Sequence, residues 1–331
     1  MLTARENLLK AYNHEIPERI PIYQSDIKYW MPPEIRERGP EGGEGLGGGT
    51  GYDWFGNHWT FSEVDMGTTP TPGYGPILTD VTKWREQIKF PDLSTIDWKA
   101  AWERDGADPE EYEGKLRMMI ICSGPLEQLH TIMGFDEGLM ATILEPEACK
   151  EFFEAIIDYK IEMLEGILEY YPLDIVEQHD DYGHNNNSFI SLDQFRELLM
   201  PAWQKYAKFL KKKGVIFQLH SCGKNEGLVP GFIEAGVQSW SSCQRINNHK
   251  AIVHEYGDKI ILNPGIMFPE YDGMELTEEE KRRILDDEIF SICKGGAYIP
   301  DMWDYNFYDT FVQMVAERPD FYEKAENCIL P

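Results

Sequence analysis

The chain has 331 residues, 42% of them hydrophobic and 27% charged, which excludes wholesale disorder and leaves enough apolar surface for one large core. A formal net charge of −27 repels polyanions, so nucleic acid and anionic lipid surfaces are excluded as partners. No apolar run is long enough to span a bilayer, and the opening MLTARENLLKAYNHEIPERIPI lacks a signal peptide's hydrophobic stretch. The six cysteines, at 122, 149, 222, 243, 293 and 328, follow neither CxxC spacing nor a disulfide framework. The expectation is a cytoplasmic protein whose reduced thiols are free for metal binding or catalysis.

Residues 2–13 predict an opening helix, broken over residues 15–19 (EIPER), and residues 20–24 predict a first strand. An irregular insertion follows over residues 31–110. It holds a glycine run at 39–51, a hairpin, and the aromatics Trp54, Trp59 and Tyr74. An insertion this long is expected to be functional. Its interleaved aromatics predict a lid or cap, with Trp54, Trp59 and Tyr74 as substrate contacts. The glycine run lacks both the GxxxxGK[ST] pattern and a preceding strand, so it does not read as a phosphate loop.

From about residue 115 the chain alternates. Strands are expected at 116–122, 174–178, 215–219, 237–242, 259–262 and 297–299. Helices are expected at 126–133, 146–170, 192–213, 228–235, 249–256 and 277–293, with a closing helix from about 308. The helix ending at Lys213 carries basic residues in its last turn and stops at Gly214, as the helix dipole and a left-handed cap require. Seven or eight strand–helix units, with no GxGxxG after the first strand, predict a (β/α)₈ TIM barrel. The whole chain, 1–331, reads as one barrel domain, with 31–110 an N-terminal insertion forming a cap.

Chemistry in such barrels gathers where strands end. Here those ends bring together His, Cys and Asp. In His220-Ser221-Cys222 an imidazole and a thiolate lie two residues apart just past a strand, and a curled turn would aim both at one ion. Zinc accepts nitrogen and sulfur ligands, while a thiolate disfavours magnesium and calcium. The plainer alternative is a pocket histidine beside a buried cysteine. Asp180 and Asp181 are adjacent, so one is expected to face the cavity as an acid, a base or a substrate contact, and the other to cap the next turn. Glu177 shares the parity of Asp181 and points either into the barrel or outward. Position at strand ends also makes His179, Gln244 and Trp303 candidate substrate contacts. Cys149, Cys293 and Cys328 read as structural thiols, and His130 and His184 as structural histidines. Cys243 lies at the chemical end of its strand.

Several segments resemble, in order, those of the uroporphyrinogen decarboxylase superfamily: residues 7–22 (NLLKAYNHEIPERIPI), 124–147 (GPLEQLHTIMGFDEGLMATILEPE), 174–183 (DIVEQHDDYG), 220–223 (HSCG), and stretches within 228–236 and 256–265. The resemblance covers 1–25 and 115–331 but not the insertion. It implies a (β/α)₈ barrel with two principal branches. The decarboxylase proper has an arginine-rich segment of the form MRQAGR, where this chain has Tyr23-Gln24-Ser25-Asp26-Ile27-Lys28. The other branch, cobamide-dependent methyltransferases, holds zinc through HxC and a later Cys. His220 and Cys222 match the first two ligands, and Asp301 stands near the third. The resemblance therefore implies zinc as a Lewis acid, a corrinoid carried by a separate partner protein, and methyl transfer between its cobalt and a small methylated compound. The aromatics of the insertion suit an aromatic methyl ether. The alternative is a metal-free decarboxylase or lyase using Asp180 or Asp181, and a third reading is a non-catalytic binding barrel.

Overall fold

The computed structural model describes residues 2–39, 49–62 and 67–324. Its centre is a six-stranded sheet in which consecutive strands pair in parallel. We number these β1 (Ile27–Trp30), β2 (Leu116–Ile121), β3 (Ile175–His179), β4 (Ile216–His220), β5 (Ser239–Ser241) and β6 (Ile261–Asn263). Beyond β6 the parallel pairing continues through a single bridge, Leu262 to Tyr298, and a short pair, Gly265–Ile266 with Asp301–Met302. The Gln24 side chain donates to the Asp301 carboxylate (2.5 Å) and to the Met302 carbonyl (2.7 Å), tying the last segment back to the chain just before β1. Helices fill the connections, and the sheet has the TIM-barrel-like architecture expected of strand–helix repetition.

The local sequence explains the main elements. Strands β2 to β4 are almost wholly buried; β2 (LRMMII) reads as a near-continuous apolar run, whereas β3 (IVEQH) and β4 (IFQLH) turn polar toward the site. The helix Pro146–Ile167 starts with proline at its first position and buries one face, including Phe152, Phe153, Ile156 and Ile157. Met200–Lys213 ends at Gly214, whose φ of 73° is left-handed, with Lys211, Lys212 and Lys213 in its last turn.

Two expectations are corrected. Residues 20–24 do not form the first strand. Arg19 reaches Asp26 (2.7 Å), the same carboxylate accepts from the Ile22 N–H, and the helical turn Tyr23–Asp26 delays the strand to Ile27–Trp30. The strand expected at 297–299 shrinks to the one bridge at Tyr298, and regular pairing resumes only at Asp301–Met302. Within the insertion, Gly51–Tyr52, His58–Ser62 and Gly67–Pro70 make a three-stranded antiparallel sheet. Residues 40–48 of the expected glycine run, and Cys328, lie outside the described residues.

Candidate metal centre

Register sets the site. In neighbouring strands His179 pairs with His220, His220 with Ser241, and Ser241 with Asn263. These four form one rung at the chemical end of the barrel, and all four line a cavity of about 340 Å³. One pleat repeat earlier, Ile120, Glu177, Gln218, Ser239 and Ile261 form the rung beneath. Two layers of inward side chains are the barrel's ordinary filling, here made polar.

Past β4 the chain curls over the cavity. Gly223 has a φ of 96°, and a Cβ there would come within 2.2 Å of the Gly183 backbone. Only glycine lets the loops after β3 and β4 touch so closely. The curl is braced by Gln244 Oε1, which accepts the Gly223 N–H (2.7 Å), and by Asn225 Nδ2, which donates to the Cys222 carbonyl (2.7 Å). As a result Cys222 Sγ stands 3.5 Å from His220 Nε2, and Asp181 Oδ1 stands 3.9 Å from the same nitrogen while accepting the Cys222 N–H (2.7 Å). The ligand atoms of Asp181, His220 and Cys222 all lie within 4.8 Å of one another. Tetrahedral zinc with bonds of about 2.0–2.3 Å sets its ligands roughly 3.3–3.8 Å apart, so this triad needs little adjustment to hold one.

Glu177, His179 and His220 make a second group that shares His220. Its carboxylate is already engaged, Oε1 with His179 Nε2 (3.1 Å) and Oε2 with Gln218 Nε2 (2.6 Å). The His179 ring lies flat on that of His220. Glu177 and His179 therefore form the support behind His220, an arrangement that fixes a ligating ring's orientation.

The electrostatics agree with this division. Burial, and then His179, lowers the His220 imidazole to about 4, so it stays neutral and keeps a lone pair for a cation. Burial and Asp181 push the Cys222 thiol far above its ordinary range, so a thiolate here depends on a bound cation. Burial opposes ionisation of Asp181, but His220, the Cys222 N–H and Arg38 outweigh it and hold the carboxyl below its usual range. Burial likewise opposes ionisation of Glu177, yet His179 and His220 bring it down to about 2. Arg38, from the insertion, pairs with Glu127, and Glu37 pairs with the buried Lys160, so the insertion's first turn anchors beside the site through charge.

The two aspartates part as adjacency requires. Asp180 accepts the backbone N–H groups of Glu127 (2.8 Å) and Leu126 (3.3 Å) and the Tyr182 hydroxyl (2.5 Å). It caps the helix Pro125–Met133, and burial raises its carboxyl to about 8 despite those bonds. Asp181 turns instead to His220 and the Cys222 N–H. Asp301 lies in neither metal-competent group; Gln24 holds one of its oxygens and the Trp303 indole N–H the other (2.6 Å). Burial, opposed by the Trp303 bond and reinforced by Glu177, raises it to about 7. Trp303 and His179 line the cavity, whereas Gln244 is a brace of the loop.

None of the insertion aromatics lines this cavity. Trp59 is buried and donates its indole N–H to Asp53 (2.7 Å). Trp54 packs edge-on against Tyr159. Tyr74 stacks on His58 at 4.0 Å and borders a different, larger cavity of about 740 Å³ that also touches His130 and Phe135. Sequence reasoning missed three contributors. Arg38 and Gln218 carry no motif, and Ser242 follows β5 with a φ of 52°, a strained position at the rim.

A model of the family described as uroporphyrinogen decarboxylase (URO-D) matches residues 108–294. No curated protein matches. Among solved structures, a methyltransferase from Methanosarcina mazei aligns with a TM-score of 0.62 at 14% identity, covering 97% of this chain and 100% of that one. An L-ribulose 3-epimerase aligns with a TM-score of 0.35 at 12% identity, over 71% of this chain and 83% of that one.

Proposed function

The chain belongs to the uroporphyrinogen decarboxylase family, and on that premise we propose that it is a methyltransferase whose centre is a zinc ion held by His220, Cys222 and Asp181. The observation that carries the reading is the convergence of a neutral imidazole, a thiol and a carboxylate within 4.8 Å at the end of β3 and β4. That soft and borderline donor set fits zinc, and three protein ligands leave a fourth position open. Bound there, zinc would supply a Lewis acid for a methyl-carrying or methyl-accepting group that has a lone pair to offer.

The chain's own residues do the rest. Glu177 and His179 hold the His220 ring in place through the 3.1 Å bond and the ring stack. Gly223, Gln244 and Asn225 hold Cys222 against Asp181. The fold supports kinship with a methyltransferase scaffold. The reaction is methyl transfer between a small methylated compound and the cobalt of a corrinoid on a separate protein, and the chain works in the cytoplasm.

Asp181 takes the place that the sequence reading gave Asp301. The aromatic methyl ether loses its support, since it rested on Trp54, Trp59 and Tyr74. The decarboxylase reading is disfavoured by the cavity lining, which among the described residues contains no Lys or Arg to grip carboxylates. The test is to mix the purified protein with reduced corrinoid protein and a panel of methylated ethers, amines and thiols, and to follow methyl-cobalt formation by absorbance. Methylation that depends on this protein supports the reading, and no methylation across the panel refutes it.

A further inference from the structure

We infer that the cavity beside the metal centre selects small organic cations carrying N-methyl groups, with Asp301 and Trp303 as the recognising pair. The inference rests on the methyltransferase reading and narrows its substrate class.

The cavity wall is built for positive charge. Glu177 and Asp301 both line it, and among the described lining residues there is neither Lys nor Arg. Both carboxylates are buried. The partners of Asp301 are the neutral Gln24 and Trp303, and those of Glu177 are Gln218 and His179. Glu177 is already stabilised by His179 and His220, but Asp301 is a buried carboxylate without a counter-charge, and a bound cation supplies one. The metal does not reverse this balance, because the two charges of zinc are matched by the Cys222 thiolate and the Asp181 carboxylate.

The aromatic surface is positioned as well. A Cβ on Gly265 would lie 2.9 Å from the Trp303 ring, so the glycine is a flat shelf against which the indole rests. The indole N–H donates to Asp301 Oδ2 at 2.6 Å. An indole bound to a carboxylate is enriched in electron density, which strengthens its attraction for a cation over the ring face. Trp303 remains 43% exposed at the cavity mouth beside Tyr29. Ser241 and Ser242, buried in the same lining, stand beside the Glu177 carboxylate and the Cys222 thiol.

The chemistry closes. When a methylated ammonium is the donor, the C–N bond breaks and its electron pair stays on nitrogen. The amine leaves neutral, and the methyl carbon bonds to cobalt(I) of the corrinoid, which becomes cobalt(III). No proton and no further reductant is required. A cavity of about 340 Å³ holds a ligand of one ring and a trimethylammonium group.

The experiment compares three probes of similar size by titration calorimetry on the full-length protein: phenyltrimethylammonium, its uncharged isostere tert-butylbenzene, and 4-methoxybenzoate. Phenyltrimethylammonium is expected to bind at least about tenfold more tightly than the isostere, and 4-methoxybenzoate more weakly than both. Asp301→Asn and Trp303→Leu should each remove most of that preference, while Trp303→Phe should keep part of it. Bound metal and circular dichroism of each variant verify folding. Equal binding of cation and isostere, tighter binding of the benzoate, or variants that keep the full preference would overturn the inference. Methyl transfer to corrinoid from neutral donors alone would also overturn it while leaving the methyltransferase reading intact. Cation binding with no methyl transfer from any donor would refute the methyltransferase reading and not the recognition.

Discussion

His179 and His220 stack face to face, with ring centroids 3.7 Å apart and planes 7° from parallel. Their strands pair at these two residues, so the stack follows from β-sheet register. One ring points to Cys222 and Asp181, and the other is bonded to Glu177. If His179 supports a ligand without being one, His179→Ala weakens zinc binding by about 10–100-fold without abolishing it. Competition against a chromogenic chelator measures this, and unchanged affinity would show that the stack does nothing for the metal.

Asp180 and Asp181 separate by role. Asp180→Ala removes the carboxylate that accepts two N–H groups at the start of the helix Pro125–Met133, and costs about 0.5–2 kcal/mol in urea unfolding with zinc content unchanged. Asp181→Ala lowers zinc affinity by at least about tenfold with a smaller effect on stability. Interchanged outcomes would reverse the assignment.

Trp59 belongs to the architecture of the insertion. Its indole N–H, with the Asn57 and Phe55 backbone N–H groups, satisfies the buried Asp53 carboxylate. Trp59→Phe removes one of the two hydrogen bonds to Asp53 Oδ2, leaving only the Asn57 amide there, and costs about 1–3 kcal/mol. Metal content and phenyltrimethylammonium affinity stay at wild-type values. A selective loss of ligand affinity with stability intact would return Trp59 to the site.

His249 gives a pH signature away from the metal. Burial lowers its imidazole to about 4, despite bonds to the Cys243 and Gln244 carbonyls. The unfolded chain, with a histidine near 6.5, binds more protons between about pH 4 and 6.5. The stability His249 contributes is therefore full above about pH 6.5 and is lost as pH falls toward 4. The stability difference between wild type and His249→Gln should shrink over that window with a slope of up to about 1.4 kcal/mol per pH unit. Parallel curves for the two proteins, from thermal melts across this range, would contradict the assignment.

Much of the fold was legible because it is periodic. The 3.6-residue pattern over Pro146–Ile167 and the left-handed stop at Gly214 mark helices without help from tertiary structure. The first strand was not legible, because the apolar pair Ile20 and Ile22 imitates a strand while the Arg19–Asp26 ion pair holds the chain in a turn. At the site, the HxC spacing and the adjacency of two aspartates can be read directly. The choice of Asp181 over Asp301 cannot, because it depends on Gly223 meeting Gly183 across two loops. The neighbourhood of Arg38 and Glu127 is likewise invisible, since the residues are 89 positions apart in the chain.

The most direct measurement is the zinc content of the purified protein and of a His220→Ala, Cys222→Ala double variant, by inductively coupled plasma mass spectrometry. The account predicts one zinc per chain in the wild type and none in the folded variant, with methyl transfer to corrinoid lost alongside. A wild-type protein that transfers methyl groups while free of metal, or a variant that keeps its zinc, would contradict it.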